Sequence, residues 1–148
     1  MAIRLRTATL DDVDDVLPRT RALNAHEGIQ ITDALLESAL RHLLANASLG
    51  GVWLVEQDGA PIGYAIATFG YDLEFGGRDA YLTELWIDEP ARGGGVGMEV
   101  LALLESELVQ REVRALHLQV RPENPALRLY QRAGFTASPR LIMTRRLT

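Results

Sequence analysis

Residues 91–101, ARGGGVGMEVL, constrain this chain more than any other stretch. Four of the first seven residues are glycine, and an amphipathic run follows at once. Upstream, AYLTELWID reads as a strand. Downstream, Val96, Val100, Leu101, Leu104 and Leu108 fall on one helical face. A strand that enters a helix through a bare turn builds an anion site. The first helical N–H groups have no partner within the helix, and the macrodipole is positive there. Glycine removes the Cβ that would keep a phosphate away. Two phosphate motifs are excluded. The P-loop needs G-x-x-x-x-G-K-[ST], and the chain has no lysine. The dinucleotide fingerprint needs G-x-G-x-x-G, but Gly95-Val96-Gly97 continues as Met98, Glu99 and Val100.

The rest of the chain alternates strand and helix signals. IRLRT reads as a short strand. Thr9 and Asp12 form a capping-box pattern before a helix bearing Val13, Val16, Leu17 and Leu23, with a kink expected at Pro18. HEGIQI breaks that helix. Thr32 then caps a second one, whose apolar side is Leu35, Leu36, Ala39, Leu40, Leu43 and Leu44. Residues 50–71 read as two strands around a tight turn at Asp58-Gly59. After the glycine stretch and its helix, ALHLQV reads as a strand. ENPALRLYQRAGF reads as a helix with Asn124 at the N-cap, Pro125 at N1 and Gly134 at C′. RLIMTRRL reads as a closing strand. The order β-α-α-β-β-β-α-β-α-β predicts an α/β (α+β) fold, a mixed and mostly antiparallel sheet flanked by helices. No repeat or linker divides it, so residues 1–148 are read as one domain.

Composition narrows the chemistry. There is no cysteine, which excludes disulfides, thiolate metal sites and a covalent cysteine intermediate. All 15 basic residues are arginine, so no Schiff base can form on lysine. A net charge of −5 argues against a broad basic face for nucleic acid. No apolar run approaches the ~18 residues of a membrane span, and MAIRLRTATL lacks a signal-peptide core. The cytoplasm is the expected location. His42 and His117 have no second ligand at metal spacing, so no metal is expected.

Arg92-Gly93-Gly94-Gly95-Val96-Gly97 resembles the R/Q-x-x-G-x-G/A motif of the GNAT superfamily of N-acetyltransferases. LQVRPENPALRLYQRAGF resembles that family's distal N-x-x-A-x-x-L-Y-x-x-x-G-F. The resemblance covers residues 50–146 well and the first 45 by element order. It implies a GNAT fold with acetyl-CoA as donor. The amides of Gly93, Gly94, Gly95, Val96, Gly97 and Met98 would hold the pyrophosphate together with Arg92. The edge of Leu85, Trp86 and Ile87 would pair with the pantetheine as an added strand. Asn124 would hydrogen-bond the pantetheine, and Tyr130 would lie near the sulfur as the acid. Gly94 departs from the family, which usually carries a long basic or polar side chain there.

Direct transfer needs a neutral amine and a proton for the departing thiolate. Beside Tyr130, Glu84 is the candidate base or amine binder. Simple alternation puts it on one face with Leu82 and Trp86, opposite Thr83 and Leu85. Gln119 stands where some relatives carry a glutamate base, and glutamine cannot fill that role. The resemblance places His26 and Glu27 beside the acceptor, and the turn after FGYD puts Glu74 and Phe75 at the expected rim of its pocket. The carboxylates favour a small cationic amine acceptor, with a protein N-terminus or an amino acid left open. The rival reading is a non-enzymatic acyl-CoA-binding or sensing module. A homodimer is a further expectation.

Overall fold

Asp58 and Gly59 both take positive φ, 52° and 81°, in the tight turn joining β2 (Gly50–Gln57) to β3 (Ala60–Asp72). Such a turn matches the right-handed twist of the strands it links. In the computed structural model, which describes residues 2–148, this hairpin lies at the middle of a five-stranded sheet. The other strands are β1 (Ile3–Thr7), β4 (Gly77–Ile87) and β5 (Ala115–Leu118). They pair in the order β1-β2-β3-β4-β5. The first three pairings are antiparallel, and β5 joins β4 in parallel. The long connection through α3 (Val96–Gln110) makes that parallel pairing possible.

The helices follow their caps. Asp12 accepts from the Thr9 amide at 2.8 Å, and the Thr9 hydroxyl accepts from the Asp11 amide at 3.3 Å. This expected capping box opens a short 3-10 turn that runs into α1 (Val13–Glu27), which continues through Pro18. Gly28, at φ 71°, ends α1, and the Thr32 hydroxyl caps α2 (Asp33–Ala45). Helices α1 and α2 cover one sheet face, with Val16, Leu17 and Leu40 against Val52, Leu54, Tyr64 and Ile66. Helix α3 covers the other, with Leu101, Leu104 and Leu108 against Trp53, Ala65, Ala67 and Leu82. Leu104 is fully buried, and truncating such a leucine to alanine costs about 2–5 kcal/mol. Leu35 lies outside this packing and is exposed.

Two expectations are corrected. The closing strand RLIMTRRL does not form, since no residue from 135 onward is in a helix or strand. Leu141, Met143 and Leu147 remain 88%, 91% and 86% exposed. A strand needs a partner as well as a pattern, and these side chains meet none. The second correction concerns β4. Ala67 pairs with Leu82, but Ile66 pairs with Glu84, so Thr83 is an extra residue in a β-bulge. The Thr83 hydroxyl donates to the Ile66 carbonyl at 3.3 Å. Alternation is broken there. Leu82 faces α3, whereas Glu84 and Trp86 face α1 and α2. Glu84 therefore shares a face with Trp86 and not with Leu82.

Candidate functional site

The sheet is open where β4 outruns β5. Pairing between them ends at Leu82 with Leu118, although β4 continues to Ile87. Past that point no strand among the described residues lies beside this edge of β4. The glycine turn lies beyond the same end. Gly93, Gly94 and Gly95 all have positive φ, at 89°, 63° and 83°. A Cβ built on any of the three would meet nothing within 4 Å. The bareness of this turn is thus required by backbone shape and leaves open space above it. Val96 donates to the Gly93 carbonyl and Glu99 to the Gly95 carbonyl. The intervening amides of Gly97 and Met98 belong to the first helical turn, where donors lack intrahelical partners. Free amides at a helix mouth form an anion-binding arrangement. Gly97 differs from its neighbours: a Cβ there would lie 2.8 Å from Leu129 Cδ2, so this glycine lets α3 approach α4 (Ala126–Arg132).

Arg92 takes a more specific position than the motif suggests. Its Nε donates to the Ile87 carbonyl at 2.8 Å, and its guanidinium lies 4.7 Å from the centre of the Trp86 ring. Trp86 Nε1 in turn donates to Asp88, which also accepts two bonds from Arg19 of α1 at 2.9 and 2.7 Å. The donor end of β4 is thereby tied to α1.

A cleft of about 570 Å3 opens where β4 and β5 part. It is lined by Glu27 and Ile29 from the end of α1, Thr83 to Leu85 from β4, Gln119 to Pro122 beyond β5, and Asn124 and Tyr130 around α4. Glu84 is held from below by Tyr64, whose hydroxyl donates to Glu84 Oε1 at 2.6 Å. Burial pushes the Glu84 carboxyl above the usual carboxylate range, and the bond from Tyr64 opposes part of that rise. Tyr64 is itself fully buried, and burial, then the charge of Glu84, push its hydroxyl up. Burial also raises the Tyr130 hydroxyl, with the charge of Glu27 adding to the rise. Both Tyr130 and Tyr64 therefore hold their protons at neutral pH. Glu84 has the character of a base poised nearer neutrality than a solvated carboxylate.

The cleft unites Glu27, Glu84, Leu85, Asn124 and Tyr130. Asn124 Oδ1 accepts from the Ala126 amide at 2.9 Å just ahead of α4, although the N-cap position falls on Pro125, one residue later than expected. His26 stands edge-on to Trp86, with ring centroids 6.4 Å apart, outside the cleft lining. Glu74 is not brought to the cleft. It lies in the β3–β4 turn and accepts from Arg140 at 2.7 Å. Tyr64 was not foreseen. The usable signal was its place on an inward-facing strand, because a buried tyrosine hydroxyl requires a partner. Among the described residues, no cluster of three or more metal-ligating side chains occurs, and no helix is long and apolar enough to cross a membrane.

Known proteins agree with this geometry. Residues 20–135 match the family model described as the acetyltransferase (GNAT) family. No curated protein sequence matches the chain. Among solved structures, an integron cassette protein from the mobile metagenome of Cole Harbour Salt Marsh is 26% identical. It superposes with a TM-score of 0.85 over 97% of this chain and 90% of that one. A protein from Clostridium acetobutylicum, described as a predicted acetyltransferase and solved with acetyl-CoA, is 21% identical. Its TM-score is 0.79, over 97% and 96% of the two chains. A GCN5-related N-acetyltransferase from Ralstonia eutropha JMP134 is 19% identical, with a TM-score of 0.76 over 97% and 99%. With the glycine cradle, the open β4 edge and a match over most of its length, the chain belongs to the GNAT acetyltransferase family and is an acetyl-CoA-using acyltransferase.

Proposed function

We propose that the protein transfers the acetyl group of acetyl-CoA to a primary amine that carries positive charge, by direct attack while donor and acceptor are both bound. The observation that carries this reading is the meeting of Glu84, Glu27 and Tyr130 in one cleft beside the open edge of β4. The bare turn at Gly93–Gly95 and the first-turn amides would bind the pyrophosphate, and the free β4 edge would align the pantetheine. The donor supplies the activated acyl carbon.

Glu84 attracts the acceptor ammonium and removes one proton, directly or through a water, which frees the nitrogen lone pair. A nitrogen–carbon bond forms as the carbon–sulfur bond breaks. Tyr130 gives its proton to the leaving thiolate and recovers one from the acylated nitrogen, which must lose a second proton to become the neutral amide, while the proton taken by Glu84 returns to solvent. Tyr64 holds the Glu84 carboxylate in place throughout. Two carboxylates in a partly enclosed cleft favour a cationic acceptor over an anionic one. The test is thiol release from acetyl-CoA across cationic, neutral and anionic primary amines. Acceleration by cationic amines, lost in Glu84→Gln, is expected. Release no faster with any amine than without one refutes the reading.

A further inference from the structure

Residues 140–147 keep the pattern of a half-buried strand but join no sheet. In extended backbone Leu141, Met143, Arg145 and Leu147 fall on one side, and Ile142, Thr144 and Arg146 on the other. The three apolar side chains of the first side are each at least 86% exposed, so the face such a strand would bury lies in water. The segment is also basic. Residues 136–148 hold three arginines and no acid, so a chain of net −5 consists of an acidic body at −8 and a tail at +3. An apolar, cationic strand of this kind suits an acidic protein surface with a free sheet edge.

The fold offers such an edge where the tail leaves it. Arg140 donates to Glu74 of the β3–β4 turn at 2.7 Å. The next residue of that turn, Phe75, is tied to β5. Its carbonyl accepts from Arg114, the residue before β5, at 2.9 Å, and its ring lies 5.2 Å from that of His117, measured between centroids. The tail therefore starts beside the Ala115 end of β5. β5 is the last strand of the sheet, and no strand among the described residues lies on its outer side. Its four residues form a short edge that one added strand would cover. The same end of the sheet carries more apolar surface: Tyr71 and Leu73, where β3 turns toward β4, are 75% and 86% exposed.

A strand pattern without a sheet thus lies beside a sheet edge without a strand, yet no backbone hydrogen bond among the described residues joins the two. Direction gives the reason. Antiparallel pairing within one chain would have to begin at the Leu118 end of β5, away from the anchor at Glu74. We propose that the pairing is made between two copies: residues 141–147 of each chain add as a strand to the outer edge of β5 in the other. A two-fold axis beside β5 reverses the direction. Each tail then meets the other copy's β5 from its Leu118 end and runs antiparallel, the slightly more stable ladder. The exchange is reciprocal, so it closes at a dimer. The apolar side of each tail, with Tyr71 and Leu73 nearby, gains a surface to pack against, and the basic tail meets an acidic body.

Sedimentation of the full chain at micromolar concentrations should show a dimer. Successive amides of a strand point to opposite edges, so at least one of Met143→Pro and Thr144→Pro removes a bond to β5. That variant should raise the dimer Kd about 10- to 100-fold, the loss of one ladder bond in each tail. Both positions lie outside every helix and strand, so the monomer fold survives either change. The chain has no cysteine, so an introduced pair reports one contact. Chains carrying Met143→Cys are mixed and oxidised with chains carrying Ala115→Cys, Leu116→Cys, His117→Cys or Leu118→Cys. At least one mixture should yield a disulfide-linked dimer joining the two kinds of chain. A monomer at every concentration, or a dimer that neither proline weakens, overturns the exchange. So does a disulfide that forms only within one chain when both cysteines are placed on it, since the tail would then cover its own edge.

Discussion

Replacing Gly95 by alanine should separate the two roles a glycine can play at a helix mouth. At φ 83° alanine suffers left-handed strain, about 1–2 kcal/mol. Among the described residues nothing beyond its chain neighbours lies within 4 Å of the new methyl, so no clash adds to it. For a chain of this length 1 kcal/mol lowers Tm by about 2–4 °C, which predicts a fall of roughly 2–8 °C and intact folding. Binding should suffer more. The methyl enters the space a phosphate must occupy, and the amides around it lose their alignment. Losing one or two hydrogen bonds to a charged group, at ~1.5–3 kcal/mol each, weakens CoA by about 10-fold to more than 1,000-fold. Gly97→Ala makes the contrast. Its φ is not positive, but its methyl would lie 2.8 Å from Leu129, so α3 must shift from α4. That variant should lose stability through packing, about 1–3 kcal/mol. Circular dichroism melts and calorimetry with CoA measure both quantities. If Gly95→Ala melts lower yet binds CoA as tightly as the parent, the turn does not hold the phosphates.

Tyr130→Phe should lower kcat by ~10²–10⁴-fold while CoA affinity stays within a few-fold, since only the proton donor is removed. Wild-type turnover would return Tyr130 to a packing role against Phe135, 5.9 Å away between ring centroids. Glu84→Gln should abolish the acid limb of the rate–pH profile, and superimposable profiles for mutant and parent exclude a base at this position. The same substitution should leave stability at neutral pH equal or higher. A carboxyl whose pKa is raised on folding contributes stability that is complete below the unfolded value and is lost as pH rises through the folded one. Asp12 has the opposite sign. Arg6 holds its carboxyl below the usual range, so its contribution is present above about pH 4 and is lost as pH falls through the depressed value. Asp12→Asn should therefore cost about 1.5–3 kcal/mol in neutral urea melts, with the difference shrinking in acid. A constant difference across pH would show that the cap, and not the charge, does the stabilising.

The parts of this molecule that were legible in its sequence are those encoded within a few neighbouring residues. Asp58-Gly59 specifies its hairpin, Thr9 with Asp12 its cap, and Gly93 to Gly95 their turn, because each depends on the dihedral or hydrogen-bond preferences of the residues themselves. Asn124 and Tyr130 were reached through the resemblance of the distal motif to the family, and both line the cleft. The features that escaped depend on pairing between distant segments. Tyr64 meets Glu84 across 20 residues, and His117 meets Asp79 across 38. Both depend on strand register, which no local pattern reports. The closing strand failed for the same reason, since its apolar side chains needed a neighbour that the fold does not supply.

One inserted residue accounts for most of the difference between the strand as read and the site as built. Without the bulge at Thr83, strict alternation from Leu82 would turn Glu84 toward α3, among Leu101, Leu104 and Ala65. An ionised carboxylate there would have no partner and a large desolvation penalty. With the bulge, Leu82 keeps its place in that core, and two residues later the chain presents Glu84 to Tyr64 and the cleft. The same shift aligns Glu84 with Tyr81 and Asp79 on one face, although odd and even numbering would separate them. It falls where β4 and β5 part company, so the open edge of β4 and the carboxylate that faces the cleft arise at one point of the strand. A bulge thus turns a single β-strand so that it serves the apolar core on one side and, in the proposed reaction, proton transfer on the other.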